Sequence, residues 1–314
     1  MGLKTIIENS GMKGVELSIN DIVFKIGPRL NAAGRIEHGS KSVELLVSDD
    51  AGQAVFMGDE IDCFNEKRKT LDREITQEAT DMIYNDPDLL NRKSTVVYDR
   101  NWHKGVVGIV ASRLTDVFYR PTVVLTESNG MATGSARSVK EFDLYEAIDF
   151  CSDLLESYGG HMYAAGLTLK IENIKKFADR FEEFVSKNIT AEQMIQTVDI
   201  DCKLQLSDIT PKFLRILKQF EPHGPHNMSP VFYTEDVIDA GTSRIVGKTQ
   251  EHLKLDLMEP SGSSKRFAGI AFSMADKYSL VESGMPFDVC YSITENIFRG
   301  RTSTQLYVKD IRKR

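Results

Sequence analysis

The longest regular pattern in the chain runs from Ala51 to Tyr84, where Val55, Phe56, Ile61, Phe64, Leu71, Ile75, Ala79, Met82 and Ile83 recur near helical spacing among many charges. No proline interrupts it before Pro87, so the pattern predicts one helix. At a rise of about 1.5 Å per residue such a helix spans roughly 50 Å, too long for the interior of a small domain, which makes it a connector over residues 51–91. Residues 1–50 before it are a short mixed segment, too small to bury a core alone.

After Asn91 strand-like and helix-like blocks alternate. Thr95-Val96-Val97-Tyr98 and Thr122-Val123-Val124-Leu125 read as strands, with a helix from Val106 to Phe118 between them and a turn at Asn129-Gly130. Phe142 to Leu155 reads as helix, and the helix-like run continues to Tyr158. Leu167-Thr168-Leu169 then reads as strand and Ile174 to Val185 as helix. This is the order of an α/β domain over residues 92–190. From Val198 onward helices nearly vanish, while Leu253 to Leu257 and Phe287 to Ile293 alternate with period two. Turns at Pro260-Ser261-Gly262, Gly284 and Gly300 complete the pattern of a small mostly-β barrel over residues 196–314. The boundary is expected between Thr190 and Thr197.

A length of 314 residues, 41% of them hydrophobic, suits about two globular domains. No apolar run is long enough to span a membrane, and the start of the chain lacks the basic-then-apolar order of a signal peptide, so a cytoplasmic address without a membrane partner is expected. Cys63, Cys151, Cys202 and Cys290 lie far apart with no Cys-x-x-Cys spacing, which points to reduced, mostly buried thiols. The net charge of −7 argues against a uniformly basic nucleic-acid binder, yet residues 92–140 carry 8 Lys and Arg against 3 Asp and Glu. Arg100, Lys104, Arg113, Arg120, Arg137 and Lys140 supply most of that excess; Arg299, Arg301, Lys309, Arg312, Lys313 and Arg314 form a second basic run. Local basic stripes suit a phosphodiester ligand, although a charge run also serves as a solvated face.

The candidate chemistry lies in four places. Gly159-Gly160-His161, followed by Ala164-Ala165-Gly166, reads as a turn whose glycines let main-chain N–H groups approach an anion while the imidazole adds a donor; a helix stop with one stray histidine is the competing reading. His103 and Lys104 precede a helix, where free N–H groups favour an anion, but His103 also suits a helix cap and Trp102 a core anchor. In Gly134-Ser135-Ala136-Arg137-Ser138 the hydroxyls can donate to phosphate oxygens and the guanidinium can grip them in pairs. Arg29-Leu30-Asn31-Ala32-Ala33-Gly34-Arg35, after Gly27-Pro28, brings two arginines onto a tight backbone, one of which is expected to pair with a local carboxylate such as Glu37 or Asp49.

Two-metal phosphodiester hydrolysis needs clustered Asp and His ligands. No Asp-His-His triplet occurs. Asp86-Pro87-Asp88 reads as a loop and Asp199-Ile200-Asp201 as a strand start, and His223 and His226 sit in a Pro-Gly-Pro loop of structural character. No metal ligand and no catalytic residue is therefore assigned.

Taken in order, Ile26 to Arg35, His103 to Leu114, Gly134 to Ser138 and Gly159 to His161 with Ala164 to Gly166 resemble the RecJ family of bacterial single-stranded-DNA-specific exonucleases. Phe220 to Asn227, Glu251 to Leu255 and Gln305 to Ile311 resemble its β-barrel domain. The resemblance implies an α/β fold. It places a remnant of a DHH-superfamily phosphoesterase domain at 1–50, a joining helix at 51–91, a DHH-associated domain at 92–190 and a mostly-β OB-fold at 196–314. It further implies that Arg29, Asn31, Arg35, His103, Ser135, Arg137, Gly159, Gly160 and His161 bind the terminal nucleotide and its 5′ phosphate. Mn²⁺ or Mg²⁺ would belong to the full-length enzyme only, held by an N-terminal catalytic domain absent here, so this fragment is expected to be inactive alone. Single-stranded DNA is the implied partner, with other repair proteins besides. Arg299, Lys254, Phe298 and Tyr307 are candidates for tracking the strand. A phosphatase acting on short nucleotides and a stand-alone single-strand-binding module are the alternatives.

Overall fold

The computed structural model describes residues 1–14, 16–224, 226–260, 265–298 and 301–313, with the side chains of Ile297, Phe298 and Arg301 left out. The turn residues Ser261, Gly262 and Gly300, together with Arg299 and Arg314, lie outside the described residues. The chain divides into two compact units, Met1–Gln196 and Thr197–Arg314.

The first unit begins with α1 (Gly2–Asn9), the short α2 (Ile19–Asp21) leading through a π-helical turn at Ile22–Ile26 into α3 (Gly27–Ile36), and α4 (Ser40–Val47). The arginine-flanked motif at residues 29–35 is thus helical, not a tight turn; Pro28 in the first turn is compatible with a helix because its missing N–H is not needed there. These helices close a small core with the first half of α5 (Ala51–Asn85), joining Ile6, Ile26, Ala33 and Leu45 to Ala54 and Ile61. Asp50 caps α5 by accepting from the Gln53 N–H at 2.7 Å. A Cβ on Gly58 would lie 2.4 Å from Thr5 Cγ2, so glycine is what lets α1 approach α5 so closely. Asp86-Pro87-Asp88, read as a loop from sequence, opens α6 (Pro87–Asn91), with Asp86 as its cap.

A five-stranded sheet follows in the order β1 (Thr95–Tyr98), β2 (Thr122–Ser128), β3 (Met131–Arg137), β5 (Ala164–Leu169), β4 (Leu155–His161). Strands β1 and β2 are parallel and joined through α7 (Val107–Phe118); the other pairs are antiparallel. One face packs on α8 (Leu144–Asp149) and α9 (Ile174–Asn188) through Leu144, Ile148, Phe177 and Phe181. At the β1 and β2 end, the other face packs α7 and the second half of α5 against Val97 and Val124. The helix read over Phe142 to Leu155 is a correction. Only Leu144–Asp149 is α-helical, and Leu155 already belongs to a strand, because the segment gains a ladder of partners along β5, broken only by a register shift between Leu155 and Ser157.

The second unit is a seven-stranded sheet in the order β6 (Cys202–Lys203), β7 (Phe232–Asp239), β11 (Phe287–Phe298), β12 (Arg301–Lys313), β10 (Phe267–Ala271), β9 (His252–Met258), β8 (Arg244–Val246). An additional β7–β9 pairing bends the sheet back on itself around Leu253, Leu255, Leu257, Tyr291, Leu306 and Val308. Two helices interrupt it, α10 (Pro211–Lys218) and α11 (Tyr278–Glu282). Asp288, 3% exposed, is satisfied by the Tyr233 O–H at 2.6 Å, the Asp236 N–H at 3.2 Å and Arg312 Nε at 3.2 Å. Burial pushes its carboxyl up, but these three donors outweigh that and hold it below the ordinary aspartate range. Cys63 and Cys202 are exposed, contrary to the expectation of mostly buried thiols, while Cys151 is buried and its thiol pushed up to about 12.

A depressed folded-state pKa means that Asp288 contributes stability above its unfolded value of about 3.9, lost as pH falls through the folded value. Urea unfolding from pH 6 downward is expected to show Asp288→Asn shedding part of the acid-side slope and being less stable than wild type at neutral pH. Parallel pH profiles for the two proteins would remove this role.

Candidate functional site

The candidate site of the first unit gathers around the first turn of α7. A Cβ on Gly105 would lie 1.9 Å from the Arg35 carbonyl oxygen. One on Gly108 would lie 3.2 Å from Arg137 Nη2 and 3.3 Å from Ser135 Oγ. These two glycines, three residues apart, let the start of α7 settle between the end of α3 and strand β3. Arg35 Nη1 donates to the Gly105 carbonyl at 3.1 Å. Arg137 Nη1 donates to Ser135 Oγ at 2.7 Å and to the Ala136 carbonyl at 2.8 Å, and its Nε to Ser112 Oγ at 3.2 Å. Every one of these partners is neutral, and among the described residues neither guanidinium meets a carboxylate. Burial lowers the pKa of Arg137, and the neighbouring charge of Arg35 lowers it further. Two half-buried guanidinium groups that repel each other and lack a counter-charge suit an oxyanion.

Strand register extends this into a shelf. Ser135 pairs with Gly166, which pairs with Gly159; Arg137 pairs with Ala164, which pairs with His161. Residues directly opposite share a face and neighbouring strands lie about 4.8 Å apart, so Ser135, Arg137, Gly159 and His161 line one face within about 12 Å. The positions between them are glycine and alanine, and nothing lies within 4 Å of where a Gly159 Cβ would be. The surface there is an open floor.

Gly159-Gly160-His161 is therefore not a turn but the end of edge strand β4, which corrects the sequence reading. Gly160 belongs to the opposite face, where a Cβ would lie 2.3 Å from the Ala164 carbonyl oxygen and 2.7 Å from Ala165 Cβ. Close approach of two strands requires that glycine. The hairpin beyond brings the Tyr163 N–H onto His161 Nδ1 at 3.2 Å, and the Gly105 N–H likewise donates to His103 Nδ1 at 3.1 Å. Each neutral imidazole consequently carries its proton on Nε2, where it can donate to a ligand.

Other candidates stand apart from this group. Arg29 Nε is bound to Asp62 at 2.7 Å and its Nη1 to the Lys25 carbonyl at 2.7 Å, so the arginine that finds a carboxylate finds one on α5, not Glu37 or Asp49. Asn31 is exposed on α3. The basic run of residues 92–140 is dispersed by the fold. Arg113 is clamped on buried Asp72 by two 2.8 Å bonds, Arg120 is buried on main-chain carbonyls, and Arg100 faces Glu127 at 3.4 Å. Sequence reasoning missed Ser112, Gly108 and Arg68. Arg68 is held by Asn65 at 3.0 Å on α5, its pKa lowered first by burial and also by the charge of Arg35. Gly105 and Gly108 opening a helix were the available signal for the first two.

In the second unit, Lys254, Ile270 and Tyr307 form one row across β9, β10 and β12, and Arg244 pairs with Lys254 at its end. This face turns away from the core residues Leu253, Leu255 and Val308. His252, Phe272 and Tyr307 follow one another at ring separations of 4.9 and 5.5 Å, and Lys309 Nζ sits 4.1 Å from the Tyr307 centroid. Rings in sequence beside cations are the equipment of a single-strand groove. Lys254 and Tyr307 were legible from alternation; His252, Phe272, Arg244 and Lys309 were not. The Arg299 candidate and the Phe298 side chain lie outside the described residues.

The family model for the DHHA1 domain matches residues 91–187 and that for the RecJ OB domain residues 200–310. The chain belongs to the RecJ family. It is 33% identical to the single-stranded-DNA-specific exonuclease RecJ of Bacillus subtilis (strain 168), over 99% of this chain and 39% of that protein. It is 31% identical to RecJ of Escherichia coli (strain K12), over 99% of this chain and 54% of that one. The crystal structure of RecJ from Thermus thermophilus in complex with Mn²⁺ superposes with a TM-score of 0.83 at 27% identity, over 100% of this chain and 44% of that one. The chain thus spans between about two fifths and about half of the RecJ relatives named.

The two glycines of β4 make opposite demands. Gly160→Ala is expected to destabilise the first unit by about 1–3 kcal/mol, by overpacking against β5, whereas Gly159→Ala changes stability little. Urea unfolding of both variants measures the contrast, and equal losses would show that this register of β4 on β5 is wrong.

Proposed function

We propose that this chain is the substrate-binding, C-terminal part of a 5′-to-3′ single-stranded-DNA-specific exonuclease of DNA repair and recombination. The observation that carries the reading is the pair of guanidinium groups, Arg35 and Arg137, without carboxylates at the first turn of α7, beside a shelf of Ser135, Gly159 and His161. Arg35 and Arg137 grip the 5′ phosphate, Ser135 and the Nε2–H groups of His103 and His161 donate to the terminal nucleotide, and small residues leave room for the sugar. The cation-flanked ring row of the second unit tracks the strand beyond its end. That row also favours long strands over the short nucleotides of a phosphatase.

The remaining assignments follow the sequence pattern and the resemblance. Residues 1–50 are the remnant of a phosphoesterase domain, 51–91 the joining helix, 92–190 the DHH-associated domain and 196–314 the OB-fold. Phe24 and Phe56 are 74% and 73% exposed, and Val23 and Val55 stand open beside them in sequence, apolar side chains suited to packing under the rest of that domain. Among the described residues no three His, Cys, Asp or Glu side chains gather into a metal-holding group. We assign the donor set for Mn²⁺ or Mg²⁺ to the part of the longer RecJ proteins that this chain does not span. No described helix is long and apolar enough to cross a membrane, which is compatible with the cytoplasmic address proposed.

Fluorescence anisotropy with oligo(dT) bearing a 5′ phosphate, a 5′ hydroxyl or a 3′ phosphate tests the reading. The 5′-phosphorylated strand is expected to bind several-fold tighter, a preference erased by Arg137→Gln or Arg35→Gln. Tyr307→Ala with Lys254→Ala is expected to weaken all three strands alike and flatten the salt dependence. Indifference to the 5′ end would sink the end-pocket assignment, and robust Mn²⁺-dependent hydrolysis by this chain alone would overturn its inactivity.

A further inference from the structure

The hairpin from β4 to β5 turns through Met162 and Tyr163, and its main chain is held at three points. The Leu144 N–H donates to the Met162 carbonyl at 3.0 Å and the Ser138 N–H to the Tyr163 carbonyl at 3.1 Å, while the Tyr163 N–H donates to His161 Nδ1 at 3.2 Å. Ser138 directly follows Arg137, so a single main-chain bond sets the Tyr163 backbone against the strand that carries the guanidinium. Ala164, the next residue of the hairpin, is the register partner of both Arg137 and His161. Tyr163 therefore stands at a fixed place relative to the proposed phosphate grip, before any ligand arrives.

Its side chain, unlike its backbone, is open. The ring is 46% exposed and meets the His161 imidazole at a centroid separation of 6.5 Å and an interplanar angle of 72°. That contact places it at the end of the shelf. The next aromatic along β4, Tyr158, alternates to the opposite face, where its ring lies 6.1 Å from that of Tyr145 and its hydroxyl donates to Asp149 at 2.6 Å. The shelf itself is glycine and alanine between Arg137 and His161. It thus offers cations at one end, room in the middle, and at the hairpin a half-open ring beside an imidazole donor. A nucleotide has the same three parts in the same order, phosphate, sugar and a flat base with hydrogen-bonding edges. With the phosphate on Arg35 and Arg137, the base falls on the side of His161 and Tyr163.

We infer that Tyr163 stacks on the base of the 5′-terminal nucleotide, so that the pocket recognises a whole nucleotide and not a phosphate alone; the assignment rests on the end pocket proposed above. Every base presents a π-face, so such a contact holds a strand end without reading its sequence. The test is fluorescence anisotropy of wild type, Tyr163→Phe and Tyr163→Ala with 3′-labelled, 5′-phosphorylated oligo(dT), either intact or abasic at the first position. Loss of the first base is expected to weaken wild type and Tyr163→Phe about tenfold and to leave Tyr163→Ala unchanged, the coupling expected of two groups in contact. Tyr163→Ala is expected to keep its preference for a 5′ phosphate over a 5′ hydroxyl. Tyr145→Ala, which removes a ring from the opposite face, is expected to behave as wild type. A second measurement needs no variant: on irradiation, a strand with 5-iodouracil at its first position is expected to crosslink to Tyr163, located by mass spectrometry of the digested protein. Wild-type indifference to the first base, an equal abasic penalty in Tyr163→Ala, or a crosslink that avoids Tyr163 would each overturn the assignment. Discrimination against the abasic end without any preference for a 5′ phosphate would remove the phosphate grip and leave the stacked base standing.

Discussion

The first unit depends on one buried carboxylate. Asp72, 2% exposed on α5, receives both arms of the Arg113 guanidinium at 2.8 Å and has Arg68 Nη1 at 3.8 Å. A charge so deep is tolerated only when paired, and removing one partner of such a pair typically costs about 3–5 kcal/mol. The pair fixes how α7 lies along α5. With α7 fixed, Gly105 touches the Arg35 backbone and Gly108 touches the Arg137 head, so the spacing of the two guanidinium groups follows from an interaction that contains neither. By engaging Arg113 and restraining Arg68, Asp72 is also unavailable to neutralise the site.

Sequence legibility followed from how local each determinant is. Helix α5 was readable because thirty-five residues repeat one periodicity without a breaker, and β9 because alternation repeats over its whole length. The end of β4 was misread for a physical reason. Glycine has no side chain to carry a pattern, so two in succession look like an interruption even where they admit a neighbouring strand. The fates of Arg29 and Arg35 were equally illegible. The two residues are alike in sequence, and only the arrival of Asp62 from 33 positions away separates a salt-bridged arginine from one left for an anion. Phe272 lies just past the end of β10, where no alternation marks it, and joins the ring row only through the pairing of three strands.

Chemistry and packing divide the sheet of the first unit between its faces. Toward α8 and α9 the strands present Leu125, Ala136, Ala165 and Leu167, and that face is dry. Toward the other side α7 covers β1, β2 and part of β3, leaving β5 and β4 to present alanine, glycine, threonine, serine and His161 beside the Arg137 head. A sheet one helix short on one face must make its uncovered strands polar or small, and the same economy creates the floor on which a ligand can lie.

Helix α5 takes part in two separate hydrophobic cores, through Ala54 and Ile61 with α1, α3 and α4, and through Ile75, Ala79 and Ile83 with α7 and the sheet. Between them its buried positions are polar, Asn65 and Asp72. Neither core can lose this helix without stripping the other of one wall, so the two melt together. A continuous rod of about 50 Å also converts a small tilt at one core into a displacement at the other, making the helix a mechanical as well as a covalent link.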